Sequence, residues 1–195
     1  MKTTRATRAV KPAKKASPKS PRSAAEASDK SRPGPKVGSP APSFSLPADS
    51  GEEVTLAEQK GKWVILYFYP RDNTPGCTRE AIAFQGAAPA LKQRGAVVLG
   101  VSRDSIASHC GFKEKQGLRF LLLSDPDCKV HKLYGAYGDK VMYGKKITGA
   151  LRTTALIAPD GKLAKIFSNV KVDGHADAVL AAIDEAKKAG AASGK

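Results

Sequence analysis

Residues 63–80 read WVILYFYPRDNTPGCTRE, and the change of pattern inside that run decides the fold. Trp63 to Tyr69 is β-branched, aliphatic or aromatic throughout and too short to favour a helix, so it predicts a strand covered on both faces. Pro70 ends it. From Thr74 to about Arg94 the apolar residues take helical spacing, with Ala81, Phe84, Ala88 and Leu91 on one stripe. Thr74 supplies an N-cap and Pro75 a favoured first helical residue, which puts Cys77 in the first turn of a helix directly behind a buried strand.

Working outward, Ala96 to Val101 predicts a second buried strand, followed by Ser102-Arg103-Asp104-Ser105 and a helix to about Gln116 that Gly117 closes. Phe120 to Leu123 predicts a third strand. Thr153 to Ala158, the Asp160-Gly161 turn and Lys162 to Val170 form a hairpin signal, and His175 to Ala189 a final amphipathic helix. Upstream, residues 39–58 hold short extended pieces and a turn at Asp49-Ser50-Gly51. Strands alternating with helices and ending in a hairpin and a helix predict an α/β class, a central mixed sheet flanked by helices. That order of elements is thioredoxin-like. Trp63, Phe68 and Phe120 are expected in the core.

A chain of 195 residues suits one domain plus a tail. No uninterrupted apolar run reaches bilayer length, and no membrane association is expected. The N-terminus lacks the apolar stretch of a secretory signal, since Ala9-Val10 is followed at once by Lys11 and Pro12, so a reducing compartment is expected. The formal charge is +15, and residues 1–36 carry +9 of it, with eleven Lys or Arg against Glu26 and Asp29. No aromatic residue precedes Phe44, so residues 1–36 cannot bury enough apolar surface to offset their ordering entropy, and a disordered tail is expected. The expected organisation is this basic tail, a domain over residues 37–189 and a flexible end at 190–195. Such a tail suits phosphate-rich polyanions, nucleic acid among them, and equally a solvated or targeting extension. A cytoplasmic location is the first expectation, with nuclear or organellar ones compatible with the tail.

The three cysteines, Cys77, Cys110 and Cys128, are odd in number and widely spaced, which fits neither a disulfide framework nor a zinc pattern. His109, His131 and His175 share no ligand spacing with them, and no metal is expected. No phosphate loop, haem pair or flavin fingerprint is present, so no cofactor is expected. Individual cysteine chemistry is what remains. At a helix opening, unpaired N–H groups and the positive end of the dipole favour a thiolate at Cys77, and Pro75 and Gly76 leave the sulfur approachable. The plainer alternative is an inert packed cysteine.

Pro70, three residues, Thr74, two residues and Cys77 resemble the active-site motif of peroxiredoxins, and TPGCT with a following Glu80 resembles the bacterioferritin comigratory protein or peroxiredoxin Q group. The resemblance runs from about Val37 to Ile183 and includes SRDS at 102–105, LLSDPD at 122–127 and YGKKITGALRTT at 143–154. It implies a thiol peroxidase acting on hydrogen peroxide and organic hydroperoxides, monomeric by default, with Cys77 as the attacking thiolate. Thr74 would bond the sulfur and a peroxide oxygen, Arg152 would hold thiolate and peroxide, Pro70 would shield the sulfur from water, and Glu80 would orient Arg152. Lys145 and Lys146 would border the site. Without the resemblance, Arg152 is one of 33 basic residues, and Thr74 and Glu80 are ordinary first-turn residues.

Some members of the group place a resolving cysteine five residues after the attacking one, where this chain has Ile82. Others place it on the following helix, near Lys113 here, and Cys110 lies one turn earlier on the same face. The implied route joins oxidised Cys77 to Cys110 after local unwinding, with thioredoxin or a similar thiol reductant opening the disulfide. Cys128 as partner, and a cycle in which an external thiol reduces Cys77 directly, stand as alternatives. A disulfide oxidoreductase is disfavoured, because the residue three after Cys77 is Glu80 rather than a second cysteine. A nucleic-acid protein acting through its tail is the remaining class.

Overall fold

The structure is a computed structural model that describes residues 34–142 and 145–192. The expectations for residues 1–33 and 193–195 lie outside it. Nine strands and four α-helices are described: β1 Ser45–Pro47, β2 Glu53–Thr55, β3 Trp63–Phe68, α1 Pro75–Gln93, β4 Ala96–Ser102, α2 Ile106–Gln116, β5 Leu121–Ser124, α3 Lys129–Leu133, β6 Tyr137–Met142, β7 Lys145–Ala150, β8 Thr153–Ile157, β9 Leu163–Ser168 and α4 His175–Ala192. The central sheet has the order β5-β4-β3-β8-β9. β3, β4 and β5 run parallel, and β8 and β9 are antiparallel to their neighbours, so the sheet is mixed as expected.

The alternation of β3 splits the interior into two cores. Trp63, Ile65, Tyr67 and Tyr69 face one side, packed against Ala81, Phe84 and Leu91 of α1, Phe112 of α2, and Val179, Ala182 and Ile183 of α4. Val64, Leu66 and Phe68 face the other, against Phe44, Leu46 and Val54 of the β1–β2 ribbon and Val130 and Tyr134 in and after α3. Every residue of β3 is buried, which accounts for its unbroken apolar run. Gly100 of β4 has to be glycine, because a Cβ there would lie 2.8 Å from both the Tyr67 hydroxyl and a Leu122 methyl.

The expected strands and helices appear within a few residues of their predicted ends, α4 running past Ala189 to Ala192. The β6–β7 ribbon was not anticipated. It pairs Tyr137 with Ala150 and Met142 with Lys145 outside the central sheet, and its glycines, lysines and aspartate hide the alternation a strand usually displays. No helix among the described residues is long and apolar enough to cross a membrane.

Candidate active site

The loop from Pro70 to Thr74 connects the end of β3 to α1. Asn73 turns the chain with φ 56°, and Thr74 then adopts an extended φ of −87° at the N-cap. The expected side-chain cap is absent. Thr74 Oγ1 instead donates to the Arg71 carbonyl at 3.1 Å, which commits its one O–H to the loop rather than to the helix or the sulfur. Pro75 opens α1, and Cys77 follows in its first turn with 2% of its surface exposed. Pro70, half-buried, sits where β3 leaves the sheet.

Arg152 reaches this turn from the residue just before β8. Its Nη2 donates to Cys77 Sγ at 3.3 Å, and its Nη1 makes a short, charge-assisted bond to Glu80 Oε2. One guanidinium thus bridges two residues on the same face of the α1 opening. Gly76 makes room for it, since a Cβ there would stand 3.3 Å from Arg152 Nη2. Burial pushes the Glu80 carboxyl up to about 7 against the downward pull of Arg152. For Arg152, burial opposes its charge but Glu80 and Cys77 outweigh it, so the guanidinium is held above its ordinary value.

The structure brings Cys77, Glu80 and Arg152 together, with Thr74 and Pro70 on the loop leading into the same helix. Cys110 lies elsewhere, exposed on α2, its thiol donating to the Asp49 carbonyl at 3.4 Å. Lys113, one turn on, pairs with the carboxylate of that same Asp49 at 2.5 Å. Cys128 is 3% exposed at the N-cap of α3 with φ 55°, and burial pushes its thiol up. Of the two lysines expected at the site, Lys146 is exposed, and the side chain of Lys145 lies outside the described residues. A different lysine lies within electrostatic reach of Cys77. Lys140 of β6 docks its ammonium on the Ala150 carbonyl at 2.8 Å; burial lowers its proton affinity, the Cys77 charge raises it and Arg152 lowers it. Sequence reasoning missed it because nothing in Gly138-Asp139-Lys140 marks a site.

His175 packs edge-on to Phe84 and Phe167 and bonds Thr154 Oγ1 at 2.8 Å, and burial, then the Arg152 charge, lowers it to about 4. It is a neutral packing group at neutral pH. No cluster of three or more His, Cys, Asp or Glu groups able to hold a metal ion occurs among the described residues.

Comparison with known proteins places the chain in a family. The AhpC/TSA family pattern matches residues 37–166. A putative peroxiredoxin bcp from Coxiella burnetii is 50% identical over 145 residues, covering 74% of this chain and 96% of that protein. A peroxiredoxin Bcp from Xanthomonas campestris is 45% identical over 146 residues, 74% of this chain and 91% of that protein. The solved structure of the Xanthomonas campestris bacterioferritin comigratory protein, studied for alkyl peroxide reduction, superposes with a TM-score of 0.69 at 43% identity, over 73% of this chain and 90% of that one. With a thioredoxin-like sheet, a cysteine at the opening of the helix behind its first central strand, and relatives of this kind along most of their length, the chain belongs to the AhpC/TSA family and is a peroxiredoxin, a thiol-dependent peroxidase.

Proposed function

We propose that Cys77 attacks the hydroperoxide as a thiolate and that Arg152 holds thiolate and substrate together. The observation carrying this reading is the single guanidinium bonded at once to Cys77 Sγ and to Glu80 in the opening turns of α1. Sulfur displaces at the near peroxide oxygen, and the O–O bond breaks. The far oxygen leaves as hydroxide or alkoxide and takes a proton, while Cys77 becomes a sulfenic acid. Negative charge builds on the departing oxygen, so fixed donors aimed there give the largest benefit. Arg152 supplies them, Glu80 fixes its orientation, the Thr74 hydroxyl turns from the Arg71 carbonyl to the peroxide, and Pro70 keeps bulk water off the sulfur. The alkyl peroxide reduction of the Xanthomonas relative supports organic hydroperoxides as substrates beside hydrogen peroxide.

Cys110 resolves the sulfenic acid in this reading. Its exposure supports the role, and its helix packs on the same side of the sheet as α1. The sulfur of Cys110 displaces hydroxide from Cys77, which leaves as water once protonated, and a disulfide results for thioredoxin or a like thiol to open by exchange. Cys128 suits the role poorly, because a buried thiol with raised proton affinity offers little thiolate. A cycle with an external thiol acting on Cys77 is the second reading, favoured by Cys110 lying one turn from the group's usual position. The chain acts as a monomer inside a reducing compartment, the cytoplasm first, and its basic residues 1–36 add salt-sensitive attachment to nucleic acid or another polyanion.

Intact mass after one equivalent of peroxide, taken for each single Cys→Ser variant, tests the assignments together. Cys77→Ser stops peroxide consumption, and Cys110→Ser leaves an unresolved sulfenic acid. Continued turnover in Cys77→Ser overturns the first assignment, and full thioredoxin-driven turnover in Cys110→Ser overturns the second.

A further inference from the structure

A buried polar cluster ties the loop ahead of Cys77 to the helix that carries Cys110, and the peroxide chemistry makes no use of it. Asp72 is 5% exposed. Its Oδ1 accepts from the Tyr69 hydroxyl at 2.7 Å, and its Oδ2 accepts from the Ser108 hydroxyl at 2.7 Å and from His109 Nδ1 at 2.9 Å. Its backbone N–H donates to Asp104 Oδ2 at 2.8 Å, and Asp104 also accepts from the Ser102 hydroxyl. His109 is fully buried, with Nε2 3.2 Å from the Leu123 carbonyl of β5. Burial works against the Asp72 charge, but the bonds from His109, Ser108 and Tyr69 outweigh it and hold the carboxyl below its usual range. It is therefore a buried carboxylate with its oxygens satisfied from two elements, β3 with its loop on one side and α2 on the other.

We propose that Asp72 is a positioning residue, the centre of a latch through which Ser108 and His109 of α2 keep the Cys77 loop seated, and that the latch sets how oxidised Cys77 is partitioned between resolution and overoxidation. The inference rests on Cys77 being the attacking residue. The two fates need opposite geometries. A second hydroperoxide can react only while the sulfur stays beside Arg152: the sulfenate sulfur attacks, the O–O bond breaks, and Cys77 gains an oxygen to become a sulfinate while alcohol or water leaves. The disulfide instead needs the two cysteine Cα atoms within about 7 Å, which requires the first turn of α1 to leave its seat. Departure of the loop pulls Asp72 away from Ser108 and His109, and a buried carboxylate and a buried imidazole would lose partners together. The latch thus favours the seated state and slows resolution. It also places the restraint on α2 immediately beside Cys110, so both halves of the future disulfide are held by the same bonds.

Asp72→Asn and Ser108→Ala test the latch. Asparagine keeps the shape but removes the charge, and Ser108, partly exposed, loses only one bond, so a folded protein is secured even if Asp72→Asn is unstable. Both are made in the native-cysteine protein and in a Cys110→Ser background, and intact mass is followed over time in excess hydroperoxide. In every protein the first oxygen arrives on Cys77. In the Cys110→Ser background the second oxygen arrives more slowly once the latch is broken, because the seated share of the oxidised protein falls. With native cysteines the disulfide forms about tenfold faster, the factor that accompanies loss of one hydrogen bond to a charged group, and amide exchange across residues 72–80 speeds up in step. Unchanged disulfide formation and amide exchange in folded Ser108→Ala and Asp72→Asn overturn the latch while leaving the peroxidase reading intact. A first oxygen that never reaches Cys77 overturns the peroxidase assignment itself, a separate and distinguishable failure.

Discussion

Arg152 donates through one nitrogen to Cys77 and through the other to Glu80, so its fork geometry matters as much as its charge. Arg152→Lys keeps the charge but cannot span both partners, and the rate of Cys77 oxidation, followed by stopped-flow fluorescence, is expected to fall on the order of a hundredfold. Glu80 gives a second expectation through its proton. Its carboxyl, buried and raised to about 7 in the folded protein, stands above an unfolded value of roughly 4.3. The folded state therefore binds the extra proton, and the stability this contributes is complete below the unfolded value and lost as pH rises through 7. Measured by urea unfolding, the stability of wild type relative to Glu80→Gln should fall by up to ~3 kcal/mol between about pH 4 and pH 8. A flat difference would mean that Arg152 holds Glu80 ionised throughout.

At the level of elements, the three parallel strands meet where Tyr67 of β3 crosses Gly100 of β4 to reach Leu122 of β5. Gly100→Ala forces a methyl group to within 2.8 Å of both neighbours, and the overpacking is expected to cost about 1–3 kcal/mol in urea unfolding without moving Cys77. This stretch was legible from sequence because burial on both faces leaves an unbroken apolar run, and the helical stripe of α1 was legible because Ala81, Phe84 and Leu91 all reach one core. The position of Cys77 followed from that boundary alone. Arg152 did not: it comes from 75 residues away, among 33 basic side chains, and only resemblance to a family singled it out. The Asp72 cluster was less visible still, since Ser108 and His109 lie 36 and 37 residues off and no periodicity marks residues that meet only through topology. The β6–β7 ribbon escaped for a local reason, its Lys146-Ile147-Thr148 stretch being exposed throughout, so that no inward and outward alternation marks it.

For the whole molecule, charge is unevenly shared, with +9 of the +15 on residues 1–36. Deleting those residues should leave peroxide turnover unchanged and shift elution from a heparin column to much lower salt, and a matching loss of turnover would tie the segment to catalysis instead. A last consequence comes from the 2% exposure of Cys77. A shell this closed is expected to sieve by size, admitting a small peroxide while a bulky thiol reagent waits for it to part. Labelling by a large maleimide should then level off at a ceiling as reagent is added, the ceiling being the frequency of opening itself, while a small oxidant keeps accelerating with its concentration.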